Sequence, residues 1–364
     1  MKVKNITELL ESWAPLDYQE SYDNARLITG DSNAILKGVL ITLDCIEEVV
    51  QEAIEKDCNL IIAHHPIVFT GLKSLTGSNY IERTIIKAIK NDIAIYAIHT
   101  NLDNVHNGVN KKIADLLGLT NLKILAPKPS TLSKLVTFAP IENTDDVLNK
   151  LHEAGAGMIG NYEHCSFTTE GTGTFKPNDL ATPYIGESNK KESLKENRIE
   201  LIFPTHLKAK VLNTLKNVHP YEEVAYYITA LSNSNQEVGA GLIGHLPSEM
   251  MSLDFLNFVK EKFNLKTIKH TKIHKSKVNR IAVCGGAGSF LLSKAKEVNA
   301  DIFITADYKY HEFFDAENQI TILDIGHYES EVFTKELIYD FLKEKMANIA
   351  LNLSEVVTNP INYF

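Results

Sequence analysis

Apolar and polar positions alternate in blocks along the first third of the chain. Residues 38–43, 60–63 and 93–98 are short, nearly continuous apolar runs. Each is followed by a longer stretch, 46–56, 80–90 and 109–117, in which apolar residues recur every three or four positions. The first pattern belongs to a strand buried on both faces and the second to a helix with one apolar face. Their alternation predicts an α/β sheet covered by helices. A helix should precede them, because Asn5-Ile6-Thr7-Glu8 has the form of a capping box and Ile6, Leu9, Leu10 and Trp13 share a helical face. The last third repeats the rhythm, with strands over 280–284, 301–305 and 320–325 and helices over 291–298 and 331–346. The two ends, 1–131 and 232–364, therefore read as halves of one layered α/β core of mixed or parallel sheet with helices on both faces.

Between them the pattern changes. Strand-like runs at 134–139, 199–203 and 224–230, helical runs at 145–154 and 207–218, and a Gly-, Thr- and Asn-rich stretch with short β runs follow one another in the order βαββαβ. That order is the ferredoxin-like one. Its flanks, Ala126-Pro-Lys-Pro-Ser130 and Ser232-Asn-Ser-Asn-Gln236, have linker composition. Residues 132–231 are expected to be an inserted α+β domain.

The length of 364 residues suits two or three domains. With 37 Lys and Arg against 46 Asp and Glu, the net charge of -9 gives no general attraction to nucleic acid or an anionic membrane. Cys45, Cys58, Cys165 and Cys284 are scattered without CxxC spacing and read as reduced core thiols. No apolar run approaches the ~18 residues of a membrane span. A soluble, cytoplasmic protein is expected.

Three segments carry the candidate chemistry: His64-His65-Pro66, His99 to His106 around Asp103, and Asp324-Ile-Gly-His327-Tyr-Glu-Ser-Glu331. Each falls just past the C-terminal end of an expected strand, the edge at which open α/β sheets bind ligands. Adjacent strand residues point to opposite faces, so His64 and His65 serve one site only if the chain turns there, and Pro66 ends the ladder. His327 and Glu331, four apart at the start of the last long helix, share a face. Histidines with carboxylates suit Zn, Fe or Mn rather than Ca or Mg. The five ligands His64, His65, Asp103, His327 and Glu331 exceed what one tetrahedral ion needs, which points to two divalent ions bridged by a carboxylate.

The chain also resembles a known family, the dinuclear-metal, ring-forming GTP cyclohydrolase I type 2 homologues, also called Nif-three-like. The resemblance lies in Ile62-Ala-His-His-Pro66, His99-Thr-Asn-Leu-Asp103-Asn-Val-His106-Asn-Gly-Val109, Val283-Cys-Gly-Gly-Ala-Gly-Ser289, Ile304-Thr-Ala-Asp-Tyr-Lys-Tyr-His311, Gly326-His-Tyr-Glu-Ser-Glu331 and the closing Asn359-Pro-Ile-Asn-Tyr-Phe364. It implies the same five ligands for two metal ions and a homohexamer of two stacked trimers enclosing a cavity. It further implies that the insert is similar to trimeric signal-transduction proteins of the P-two and copper-tolerance type.

Asp307 and His311 follow a further strand and are candidates for proton transfer or for orienting a ligand. Asp44 poses the same choice, and His99 and His106 read as packed or capping residues near the ligands. Arg280-Ile-Ala-Val-Cys-Gly-Gly-Ala-Gly-Ser289 reads as a strand, a glycine-rich turn and a helix start capped by Ser289, where backbone N–H groups could hold an anion. The expected function is a metal-dependent hydrolase of a nucleotide-like or phosphorylated small molecule. The alternative is a ring-shaped metal-binding or regulatory protein without turnover.

Overall fold

The computed structural model describes residues 1–346 and 348–364. The chain forms two compact units, Met1–Pro127 with Gln236–Phe364, and Lys128–Asn235.

In the larger unit the three N-terminal strands form as Val39–Thr42, Leu60–Ala63 and Ala94–Ala97, buried throughout, parallel and adjacent. Helices Glu47–Glu55 and Tyr80–Lys90 bring Val49, Val50, Ala53, Ile85 and Ala88 against Leu40, Ile61 and Ile95 on one face. The alternate residues Val39, Ile41, Leu60, Ile62 and Tyr96 face the other way, as a period of two requires. Two edge strands complete this five-stranded sheet: Arg26–Thr29, antiparallel to Ala94–Ala97, and Leu351–Leu353, parallel to Val39–Thr42. Both are short and incompletely buried, so neither leaves a readable pattern.

The C-terminal strands Lys277–Ala287, Ile302–Ala306 and Thr321–Asp324 are parallel neighbours in a separate six-stranded sheet. Gly239–Met251 and Thr120–Pro127 extend it antiparallel on one side and Lys269–His270 on the other. The layered core is thus built on two sheets. Ile41 and Ile62 of the first and Val283 and Ile304 of the second share one apolar layer with Ile6, Leu10, Ile113, Phe255 and Ile338 of the helices. Each such side chain contributes roughly 1.5–3 kcal/mol on full burial, so this layer dominates in holding the strand ends in place.

Two local expectations are corrected. The first helix spans Val3–Trp13, and Asn5, inside its first turn, accepts from Lys2 N at 2.9 Å rather than standing ahead of the helix. The stretch expected as one C-terminal helix is two, His327–Glu331 and Thr334–Lys345. Between them Phe333 packs its ring against Phe263, centroids 5.8 Å apart.

In the smaller unit, strands Phe167–Phe175, Glu192–Pro204, Leu132–Pro140 and Tyr226–Ala230 lie in that spatial order, all antiparallel. Helices Thr144–Glu153 and Lys208–Val218 cover one face, where Val147, Leu151, Val211 and Leu215 meet Leu135, Ile199, Leu201 and Phe203. This is the split βαβ arrangement. Among the described residues no helix is long and apolar enough to cross a membrane.

Pro127 and Gly239 are register partners on neighbouring strands, which places their Cα atoms about 5 Å apart. The chain therefore leaves the larger unit and re-enters it at almost one point. Excising residues 128–235 and joining the ends with a short Gly/Ser linker is expected to leave a soluble protein that unfolds cooperatively in urea, followed by circular dichroism. An insoluble or non-cooperative product would make the insert part of the larger unit's core.

Candidate metal centre

The backbone explains how distant residues reach one point. His64 and His65 extend the strand Leu60–Ala63 by two rungs, their N–H groups donating to Thr42 O at 3.2 Å and Leu43 O at 3.0 Å, before Pro66 ends the ladder. Asp103 closes a one-turn helix, Thr100–Asp103, just beyond the strand Ala94–Ala97. From the second sheet, the strand Thr321–Asp324 runs into Gly326 and the helix His327–Glu331. Gly286, at the end of Lys277–Ala287, has φ +61°, and a Cβ there would lie 2.5 Å from Glu331 Oε1. Glycine is thus required twice over, by conformation and by close approach.

The carboxylate of Glu331 divides the cluster. Its Oε2 lies 2.9 Å from His65 Nε2 and 3.0 Å from His327 Nε2, and these two nitrogens are 3.3 Å apart. Its Oε1 lies 4.0 Å from His64 Nε2, which in turn is 3.6 Å from Asp103 Oδ1. His65, His327 and Glu331 thus form one group of converging ligand atoms, and His64, Asp103 and Glu331 form another.

Each imidazole is held by its other nitrogen. His64 Nδ1–H donates to Ile98 O at 2.8 Å, His65 Nδ1–H to Asp44 Oδ1 at 2.7 Å, and His327 Nδ1–H to Asp307 Oδ2 at 2.7 Å. This is the support expected of metal-ligating histidines. Asp44 is steadied by Thr358 Oγ1, which donates to its Oδ2 at 2.6 Å. Asp307 reaches His327 from a left-handed backbone, φ +57°, uncommon for a residue with a Cβ.

The electrostatics of the cluster favour a cation. With Nδ1–H committed to Ile98, His64 turns the lone pair of Nε2 toward Asp103 and Glu331. Burial, against the pull of Glu331, keeps its pKa down at about 3. Both His64 Nε2 and Asp103 Oδ1 are buried without a hydrogen-bond partner among the described residues, an arrangement that costs ~1–3 kcal/mol per group unless something positive lies between them. Burial and the charge of Glu331 push the Asp103 carboxyl well above the usual range. Burial should also neutralise His65, but hydrogen bonds to Asp44 and Glu331 win and raise it to about 10. His327 is raised to about 9 in the same way, burial being outweighed by Glu331 and Asp307. The donor set of imidazoles and carboxylates, with two orphaned atoms facing each other, fits divalent transition ions.

Other expectations change with the structure. Asp307 orients His327, whereas His311 is exposed beyond the strand end, its ring contacts made with Tyr310 and Phe314 in the turn Tyr310–Ala316. Two backbone donors of the glycine-rich turn are already taken. Gly285 N donates to Asn110 Oδ1 and Gly286 N to Ser330 Oγ, each at 3.0 Å, and the six-residue helix Leu292–Glu297 that follows is not capped by Ser289. His99, expected to be a packing residue, turns one ring nitrogen toward His64 and His65 and donates Nδ1–H to Asp23 at 2.8 Å. Asp23 was not anticipated. It lies in a loop without periodicity, its side chain fully buried. Burial opposes its charge, but hydrogen bonds from His99 and Thr100 hold its pKa at about 2.

Beside the cluster lies a cavity of about 480 Å³, bordered by His65, His99, Asp103, His327 and Glu331 and by the rings of Tyr22, Phe69, Tyr80 and Phe290. Among the described residues no Lys or Arg lines it.

Comparison with known proteins identifies the family. The family profile Duf34/NIF3 (NGG1p interacting factor 3) matches residues 1–360. A GTP cyclohydrolase 1 type 2 homolog of Bacillus subtilis (strain 168) is 38% identical over 365 residues, covering 99% of this chain and 98% of its own. One from Staphylococcus epidermidis is 35% identical over 367 residues and the full length of both chains. The crystal structure of a Bacillus cereus protein related to NIF3 superimposes with a TM-score of 0.87 at 38% identity, over 100% of this chain and 99% of that one. A Staphylococcus aureus structure gives 0.78 at 32% identity over the same shares. On the whole-length match, the fold and the histidine-carboxylate cluster together, this chain belongs to the Duf34/NIF3 family.

Proposed function

We propose that the cluster holds two divalent ions, one between His64, Asp103 and Glu331 and one between His65, His327 and Glu331, and that the protein hydrolyses a nucleotide-like or phosphorylated small molecule there. The observation that carries the reading is the placement of Glu331, which directs one oxygen to each set of imidazole and carboxylate ligands. Such ions would supply Lewis acidity and lower the pKa of water toward neutrality.

The chain's own residues divide the remaining work. Asp44, Asp307 and the Ile98 carbonyl fix the imidazoles so that their Nε2 atoms converge. His99, held by Asp23, presents its second ring nitrogen to the cavity, where it can exchange a proton with a leaving group. Tyr22, Phe69 and Phe290 border the mouth with faces on which a planar ring can stack. The volume suits a small molecule. With no Lys or Arg in the lining among the described residues, an anionic substrate group would be held at the metal positions, which favours a compact phosphoryl or heterocyclic group over an extended polyphosphate.

The assembled form, on this reading, is a closed homo-oligomer, a hexamer as in the family pattern, with the insert's edge strands Phe167–Phe175 and Tyr226–Ala230 available for pairing between chains. Light scattering should give a mass several times 40.7 kDa. A monomer with metal bound would refute it.

The raised pKa values of His65 and His327 set a pH dependence. Below about 9 both rings carry protons directed at Glu331 Oε2, and an ion bound there must displace them. Adding Zn or Mn near neutral pH to protein stripped by a chelator is expected to release roughly one to two protons per chain into weak buffer. The release should fade, and affinity rise, as pH increases through 9 to 10. Stoichiometric uptake without proton release would contradict the assignment.

Turnover tests the enzymatic reading. A panel of nucleotides and phosphoesters is expected to show hydrolysis by metal-loaded protein and none by Asp103→Ala, while Asp307→Asn should lower metal affinity about 10- to 100-fold. Full metal occupancy with no hydrolysis across the panel would favour a non-enzymatic, regulatory role.

A further inference from the structure

The smaller unit holds a second cavity, of about 720 Å³, that the metal centre does not explain. Its two helices cover one face of the four-stranded sheet, receiving the odd-numbered Leu135, Ala139, Ile199, Leu201 and Phe203. The even-numbered neighbours Phe138, Glu196 and Arg198 point to the opposite face, which in such a sheet is ordinarily solvated. Glu196 on that face is nevertheless only 8% exposed.

A buried carboxylate is rarely left without a cation. Glu196 accepts a hydrogen bond from Tyr221 Oη, 2.8 Å from its Oε1. Its cationic neighbours along the strand are committed elsewhere, Arg198 to Glu200 at 2.7 Å and Lys195 to Glu170 at 3.1 Å. The strand beside it is cut away to make room. A Cβ at Gly173 would lie 1.9 Å from Glu196 Oε2, while one at Gly171, the register partner of Glu196, would meet nothing within 4 Å. Paired glycines inside a strand mark a place where something else approaches the backbone.

Aromatic rings wall the space. Phe175 and Tyr184 each lie 6.3 Å from Tyr221, inclined by 52° and 51°, and Phe138 lies 6.0 Å from Tyr227. Tyr221 is positioned through its backbone, N–H donating to His219 Nδ1 at 3.1 Å while His219 Nε2–H donates to Phe138 O at 2.8 Å. Thr182 N donates to Glu222 Oε1 at 2.8 Å and ties down the loop over the cavity.

We propose that this cavity binds a small organic cation, a protonated or quaternary amine, with Glu196 as its counter-charge and the rings of Phe175, Tyr184 and Tyr221 as its walls. Ring faces attract cations, most strongly when the cation is desolvated. A single buried carboxylate among phenyl and phenol rings offers too few oxygen ligands for Ca or Mg and would repel a phosphate. Among the charged residues of the lining, the carboxylates Glu170, Glu196, Glu222 and Glu223 outnumber the cations Lys176 and Arg198. The insert then has a ligand of its own, different in chemistry from anything the metal centre would take.

Calorimetric titration of the full, metal-loaded protein with choline, with putrescine, and with 3,3-dimethylbutan-1-ol, the uncharged isostere of choline, tests the site. Saturable binding of at least one amine and none of the alcohol is expected. Glu196→Gln should weaken it about tenfold or more, the loss of one charge-assisted contact. Gly171→Val, which fills the open space without touching the carboxylate, should abolish it. Unchanged metal content and circular dichroism in both variants control for folding. Equal binding of alcohol and amine, amine binding indifferent to both substitutions, or no saturable binding of either amine at about 10 mM would overturn the proposal.

Discussion

Glu331 is 3% exposed and sits among imidazoles, with a second carboxylate, Asp103, facing the same Nε2 of His64. Taking two carboxylates out of water costs several kcal/mol per ion unless each is matched by positive charge, and much of the surrounding structure answers that demand. Gly286 gives up its side chain so that Oε1 can lie against the turn. Asp44, Asp307 and the Ile98 carbonyl aim three rings at one point. Protons on His65 and His327 meet the demand on the Oε2 side, but among the described residues nothing does so between His64 Nε2 and Asp103 Oδ1.

The two-sheet core follows from the same need. His64, His65 and Asp103 follow strands of the first sheet, and Glu331 and His327 follow a strand of the second, so neither sheet alone completes either ligand group. Each supplies its residues from the carboxyl ends of parallel strands, where the chain leaves the ladder and side chains are free to converge. The shared layer around Ile41, Ile62, Val283 and Ile304 sets the spacing between them. The placement of the histidine and carboxylate side chains is therefore coupled to core packing through the strands they follow.

The two cavities illustrate how the surroundings of a carboxylate decide its use. In the larger unit, carboxylates meet imidazole lone pairs, and the combination suits ions that accept nitrogen and oxygen together. In the smaller unit, Glu196 meets a phenol hydroxyl and ring faces, and the combination suits an organic cation. Neither lining is predominantly basic, in keeping with the acidic balance of the chain.

Much of the core was legible before any coordinates. Strands such as Leu60–Ala63 are continuous apolar runs because both faces are buried, and helices such as Tyr80–Lys90 announce themselves by a charged outer face, since burial acts residue by residue. The histidine and carboxylate segments could be picked out for a related reason: residue type, Pro66 and a strand end all coincide within a few positions. What the linear pattern could not carry were facts that depend on distance. That the parallel strands split into two sheets, that Glu331 ends a short helix and serves two groups of ligands, and that His311 points away while His99 points in are decided by packing between segments hundreds of residues apart. Asp23 left no trace at all, because a buried carboxylate in a loop has the same local sequence as a solvated one. Only the tertiary structure, by closing a dry space around it and giving it His99 and Thr100 as partners, made the difference.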